Sequence, residues 1–109
     1  MKSKFFLIII ILFTMSFILI EQYSISGRIV DHNFNPIEDF KIEVYKEGSS
    51  ALLQKLEIHS ENGEFVIKHL RPDKYEIKII VEKYTRYTKI TEILNKNVSL
   101  GEIFLQNSW

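Results

Sequence analysis

Cysteine is absent from the 109 residues, so the chain has no disulfide, no thiolate nucleophile and no cysteine cage for a metal. A domain of this kind placed outside the cytoplasm is held by its core alone. Two prolines and four glycines are too few for a flexible or proline-rich linker, and no low-complexity segment or internal repeat interrupts the chain. Charge of one sign is lacking as well: Lys+Arg and Asp+Glu both total 14. That balance gives no electrostatic reason to expect nucleic acid, which favours a clustered basic face. With Lys2 and Lys4 set aside, residues 21–109 carry 12 basic and 14 acidic side chains. After residue 20 there is no long apolar run.

Before residue 20 there is one. MKSKFFLIIIILFTMSFILI places two lysines ahead of Phe5–Ile20, which holds no charge and only Thr14 and Ser16 as polar groups. A cationic start followed by such a run is the pattern of a secretory signal or a membrane anchor. The lysines keep that end in the cytoplasm, so the rest is expected to be translocated. Sixteen helical residues span about 24 Å, short of a hydrocarbon core of about 30 Å, which favours a removed signal. No pair of small residues follows the run, which favours a retained anchor. Both readings stay open. The expected organisation is an apolar helix over 1–20 and one domain over 21–109. A domain of 89 residues buries about 60–65% of its unfolded surface and has a stability of roughly 5–10 kcal/mol.

From Tyr23 onward the apolar period is two. Tyr23, Ile25, Gly27 and Ile29 alternate with Ser24, Ser26 and Arg28; Phe40, Ile42 and Val44 with Lys41, Glu43 and Tyr45. Leu56 and Ile58, Phe65 and Ile67, and Tyr75 through Val81 continue the pattern, and about Thr85–Ile93 and Asn97–Leu105 follow less cleanly. Turn residues stand between these runs: Asp31 to Pro36, Glu47 to Ser50, Ser60 to Gly63, Arg71 to Lys74 and Asn95 to Asn97. Asn62-Gly63 reads as a tight hairpin turn. Seven short half-apolar strands predict two sheets face to face, an all-β antiparallel Greek-key sandwich.

Several of these segments together resemble a family. Ile25-Ser26-Gly27-Arg28-Ile29-Val30-Asp31, then Asn35-Pro36-Ile37, is similar to the opening of carboxypeptidase regulatory-like domains. These are transthyretin-like (prealbumin-like) sandwiches related in fold to Cna B-type repeats. Asn62-Gly63-Glu64-Phe65, Leu70, Pro72, Tyr75 and Lys83-Tyr84 match the middle of that pattern. Asp73-Lys74 departs from its usual Pro-Gly turn, and Lys83 from a glycine before Tyr84. The resemblance implies a non-catalytic module. On their own, Phe65, Tyr75 and Tyr84 read as rings that plug the core near turns. Gly27 inside a strand reads as a close approach by a ring or backbone from the facing sheet, or as a bulge.

Candidate chemistry is sparse. His32, His59 and His69 have no spacing suited to a metal. The serines sit on strand surfaces and in turns, with no Gly-x-Ser-x-Gly. No catalytic residue and no cofactor are expected. The self-forming Lys–Asn bond of Cna B-type relatives would here need Lys41, Asn97 and Glu76, all of which alternate with apolar residues and are expected in solvent. Tyr45, Tyr87 and Phe104 fall on the phase opposite the core, where rings could stack on sugar; Phe34 lies in the first turn, and Trp109 reads as a packing lid or a frayed end. The leading expectation is an exported or membrane-anchored module, periplasmic or at the cell surface, that binds an envelope or surface protein. Membrane contact runs through residues 5–20. A carbohydrate-binding module is the alternative.

Overall fold

The computed structural model describes residues 21–84 and 86–106. The apolar helix expected over 1–20, and Trp109, lie outside the described residues. Among those described there are seven strands: β1 (Tyr23–Val30), β2 (Asp39–Lys46), β3 (Leu52–His59), β4 (Glu64–Leu70), β5 (Asp73–Ile80), β6 (Tyr87–Ile93) and β7 (Val98–Phe104). They form a three-stranded sheet in the order β4-β1-β7 and a four-stranded sheet in the order β3-β2-β5-β6.

The two-residue alternation explains the layering, because successive side chains on a strand point to opposite faces. Ile25, Ile29, Phe65, Ile67 and Ile103 of the first sheet join Phe40, Ile42, Val44, Tyr75, Ile77, Ile79 and Ile93 of the second in one buried cluster. Fully burying one such aliphatic side chain is worth about 1.5–3 kcal/mol. Phe40 and Phe65 meet edge to face across the interface, with centroids 6.0 Å apart. On one flank Gln54 of β3 donates from Nε2 to the Lys68 carbonyl of β4 at 2.8 Å, tying the two sheet edges.

The rings expected near turns occupy such places. Phe65 and Tyr75 are buried, Tyr84 is packed partly against the cluster, and the Tyr75 hydroxyl donates to the Arg71 carbonyl at 2.6 Å.

Three expectations need correction. The sandwich is not antiparallel throughout: β1 and β7 run parallel, from Ile25↔Val98 to Val30↔Phe104. The short connection after Ile93 crosses between sheets at the end where β1 begins, so β7 must run in the direction of β1. Second, Ser60–Gly63 is not a hairpin within one sheet, since β3 pairs with β2 and β4 with β1. It is a crossing, held by Gly63 N–H to Ser60 O at 3.1 Å and by Ile29 N–H to Gly63 O at 2.9 Å. Third, Asp73 and Lys74 already belong to β5, which narrows that turn to Arg71 and Pro72.

Two left-handed residues account for breaks in the pattern. His69 has φ 64°, and this reset lets Ile67 and Leu70 both be buried although they are three apart. Lys83 has φ 72°, the geometry for which glycine is the usual residue. On β6, Lys89 and Thr91 stand opposite Ile77 and Tyr75 on the inward register, which is why this strand alternates poorly. A charged residue on the inward register of an edge strand also discourages pairing with another chain.

Candidate binding surface at one end of the sandwich

The strands divide the loops into two groups. Residues 31–38, 60–63 and 81–84 lie at the end where β1 finishes, and 47–51, 71–72 and 94–97 at the end where it starts. The second group carries the ion pair Lys46–Asp73 at 3.2 Å. The Lys74 N–H, and then Lys46, hold the Asp73 carboxyl below the ordinary carboxylate range.

The first group is more elaborately built. The Asp31 carboxylate accepts from the Asn33 N–H at 2.8 Å and the Asn35 N–H at 3.0 Å. Phe34 N–H donates to Asp31 O at 3.1 Å, and Asp31 N–H to Asn35 O at 2.9 Å. Val30 and Pro36 form an isolated antiparallel bridge. These donors, Asn35 first, keep the Asp31 carboxyl below its ordinary value. The loop is therefore fixed by its own backbone, and its tip is Phe34 at φ 65°. Left-handed geometry costs a residue with a Cβ about 1–2 kcal/mol, and a bulky one is a genuine outlier there.

The Phe34 ring meets Phe104 of β7 edge to face at 5.1 Å. Both are exposed, by 66% and 48%, so the pair is a surface feature. Val30, in register with Phe104 and Pro36, is completely buried but not part of the central cluster. The loop folds back beside it through the bridge to Pro36. On the same outward face, Arg28 stands between Glu64 and Glu102 in register. Its guanidinium donates to Glu102 Oε1 at 3.2 Å and, through Nε, to the Asn62 carbonyl at 2.8 Å.

At the same end, but on the outward face of the other sheet, lies a cleft of about 500 Å³ between the start of β2, the end of β3 and Ile80, Val81, Glu82, Tyr84 and Arg86. Asp39, Lys41, Glu57, His59, Glu82 and Arg86 give it mixed charge. His59 Nδ1 contacts Asp39 Oδ1 across the β2–β3 pair. That bond raises the His59 pKa above its usual value. A raised folded pKa means that the pair supports the folded state below the unfolded His value of about 6.5, and that this support is lost as pH rises through the folded value. NMR titration should place His59 above 6.5, and Asp39→Asn should lower it. An unmoved midpoint would show that the contact does not persist in solution.

The three rings singled out from the sequence are not brought together. Tyr45 lies on the outward face of β2, donates to Glu43 Oε1 at 3.1 Å, and has Lys78 Nζ 4.9 Å from its ring centroid. Tyr87 does not lie opposite the core as expected. Its register partner is the buried Ile79, and it packs against the core cluster. Phe104 belongs to the other sheet, beside Phe34. One flat platform from Tyr45, Tyr87 and Phe104 is therefore not built. Lys41 and Asn97 are apart too: Lys41 pairs with Glu57 and Ile80, whereas Asn97 Oδ1 accepts from Ser24 N–H at the opposite end. Among the described residues no group of three or more His, Cys, Asp or Glu is arranged to hold a metal.

Sequence alone puts Phe34 in the first turn and Phe104 on the outward phase of the last run; the parallel β1–β7 pairing is what brings the two rings together.

No protein-family model and no curated protein matches this sequence. Solved structures do share its fold. The chain is 14% identical to 3-chlorocatechol 1,2-dioxygenase from Rhodococcus opacus 1CP (TM-score 0.57), over 80% of this chain and 60% of that one. It is 17% identical to a streptococcal ancillary pilin (TM-score 0.59), over 79% of this chain and 32% of that one. It is 10% identical to the major pilin subunit of Bacillus cereus (TM-score 0.61), over 78% of this chain and 29% of that one. The chain thus spans 60% or less of the length of each of these proteins. What they share with it is a β-sandwich, a fold that hosts both dioxygenases and pilins.

Proposed function

We propose that residues 21–109 form a non-catalytic carboxypeptidase regulatory-like domain outside the cytoplasm. Residues 1–20 bring it there as a signal or anchor, and it acts by binding a surface or envelope protein. The observation that carries this reading is the spacing at the start of the domain. Only Glu21 and Gln22 separate Ile20 from Tyr23, the first residue of β1. An apolar segment ending at Ile20 therefore meets the sandwich at the Tyr23 end. Were the segment retained as an anchor, the loops 31–38, 60–63 and 81–84 would face away from the bilayer, an eight-residue strand or about 25 Å further out. The pilin neighbours agree with a structural role at a cell surface, and the dioxygenase neighbours show why the fold alone does not decide it.

The absence of cysteine makes the test direct. Lys2→Cys and Asn33→Cys variants of the full chain are exposed on intact cells or spheroplasts to a maleimide that cannot cross membranes. Labelling of Asn33→Cys, with none at Lys2→Cys, is expected. A cytosolic protein with both sites protected until lysis would remove the reading.

A further inference from the structure

We infer that the Phe34–Phe104 pair and the carboxylates beside it form a docking surface for a cationic peptide segment of a partner protein, one that alternates lysine or arginine with apolar side chains. The inference rests on the binding role proposed above and names the partner's chemistry.

Covering Val30 does not account for the pair. Phe34 is 66% exposed, so most of its ring covers nothing, and its backbone is in a conformation that asparagine or glycine adopts more readily. Such outliers persist where the surroundings impose them and collect at binding sites. Here Asp31, through its two N–H acceptor bonds, imposes it. The ring is held out in solvent by a loop built to keep it there.

The charge around the pair selects the partner. Asp31, Glu61, Glu64 and Glu102 lie on or next to this face at its loop end, with Arg28 set among them and Lys68 beyond Val66 on the same outward register of β4. Four carboxylates against Arg28 leave three negative charges in excess at that end. An aromatic face also attracts ammonium and guanidinium groups. Val66, on the outward face of β4 in register with Ser26, is 47% exposed and supplies a second apolar point on the far side of the Glu64–Arg28–Glu102 row. An extended segment with cations on one side and apolar groups on the other fits this surface. The free edge of β7, next to Phe104, offers such a segment unpaired backbone groups.

The probe is a fluorescent peptide of alternating lysine and leucine, titrated by anisotropy against the full chain in phosphatidylcholine nanodiscs. Saturable binding that weakens with salt is expected, with affinity reduced about tenfold or more by Phe34→Asn or Phe104→Leu. Phe34→Asn should leave the thermal midpoint nearly unchanged, because asparagine tolerates the left-handed tip; Phe104→Leu keeps Val30 covered. Glu64→Gln with Glu102→Gln should weaken binding and flatten its salt dependence. The inference is overturned if the lysine peptide fails to bind. It is also overturned if a glutamate–leucine peptide binds equally well, if both ring variants bind like the parent, or if empty discs account for the signal. Binding of anionic vesicles through the same two rings would assign the surface to lipid and overturn it too. The disc assay does not depend on sidedness in cells, so a failed labelling pattern and a failed titration are separable results.

Discussion

Replacing Gly63 by alanine is expected to destabilise the domain by about 3 kcal/mol, combining left-handed strain of about 1–2 kcal/mol with overpacking of about 1–3 kcal/mol. Gly63 has φ 70°, and a Cβ there would lie 2.4 Å from the Ile29 carbonyl oxygen and 3.2 Å from that of Ile37. Backbone atoms cannot rotate aside as a side chain can. Two bonds run through this crossing, Ile29 N–H to Gly63 O and Ile37 N–H to Ile29 O, each at 2.9 Å. Opening it would disturb both the exit of β1 and the entrance to β2. Against a total of roughly 5–10 kcal/mol the loss is severe. It corresponds to a fall in thermal midpoint on the order of 15 °C for a domain of this size. Gly48→Ala is the control, with positive φ but nothing within 4 Å of the new Cβ. If both variants melt alike, strain alone acts and the close approach at Gly63 is not real.

Gly27→Val should cost about 2–3 kcal/mol for a different reason. A Cβ at Gly27 would stand 2.8 Å from Cζ and 2.9 Å from Cε1 of Phe65, its cross-strand partner. A ring tip can usually swing away. This one is buried and set edge-on to Phe40, so moving it disturbs the contact that joins the sheets. Phe65→Leu in the same chain should recover part of the loss, a non-additivity diagnostic of direct contact. Unchanged unfolding of Gly27→Val would show that the ring does not lie over β1.

Strand existence was legible because burial on one face forces a two-residue rhythm, and Ile25, Ile42, Ile67, Ile77 and Ile79 carry it without interruption. The glycine within β1 was legible as a gap in an otherwise filled series, but the ring over it is Phe65 of the adjacent strand in the same sheet, not one from the facing sheet, and the β1–β7 register shifts at that point. Strand direction was not. A pattern of alternating side chains is the same read forward or backward, so nothing in Val98–Phe104 marks it as parallel to β1. The Asn-Gly turn misled because its chemistry specifies a local backbone shape and not the sheet to which the next strand belongs. Tyr87 was misplaced because β6 puts Lys89 and Thr91 on its inward register, leaving the phase of the strand without an apolar guide. Site assignment suffered most. Phe34 and Phe104 are 70 positions apart in the numbering, and their meeting depends on the one strand direction that periodicity cannot supply.

The central place of β1 in its sheet has a temporal consequence. Its neighbours are β4 and the last strand, so Arg28 must wait for Glu64 on one side and Glu102 on the other. Such distant pairings place folding at the slow end for small domains, roughly milliseconds to seconds. A polypeptide emerging from its N-terminus cannot complete that layer until β7 is available. Under the proposed export, delayed closure would leave the chain threadable for as long as a translocation channel needs it to be.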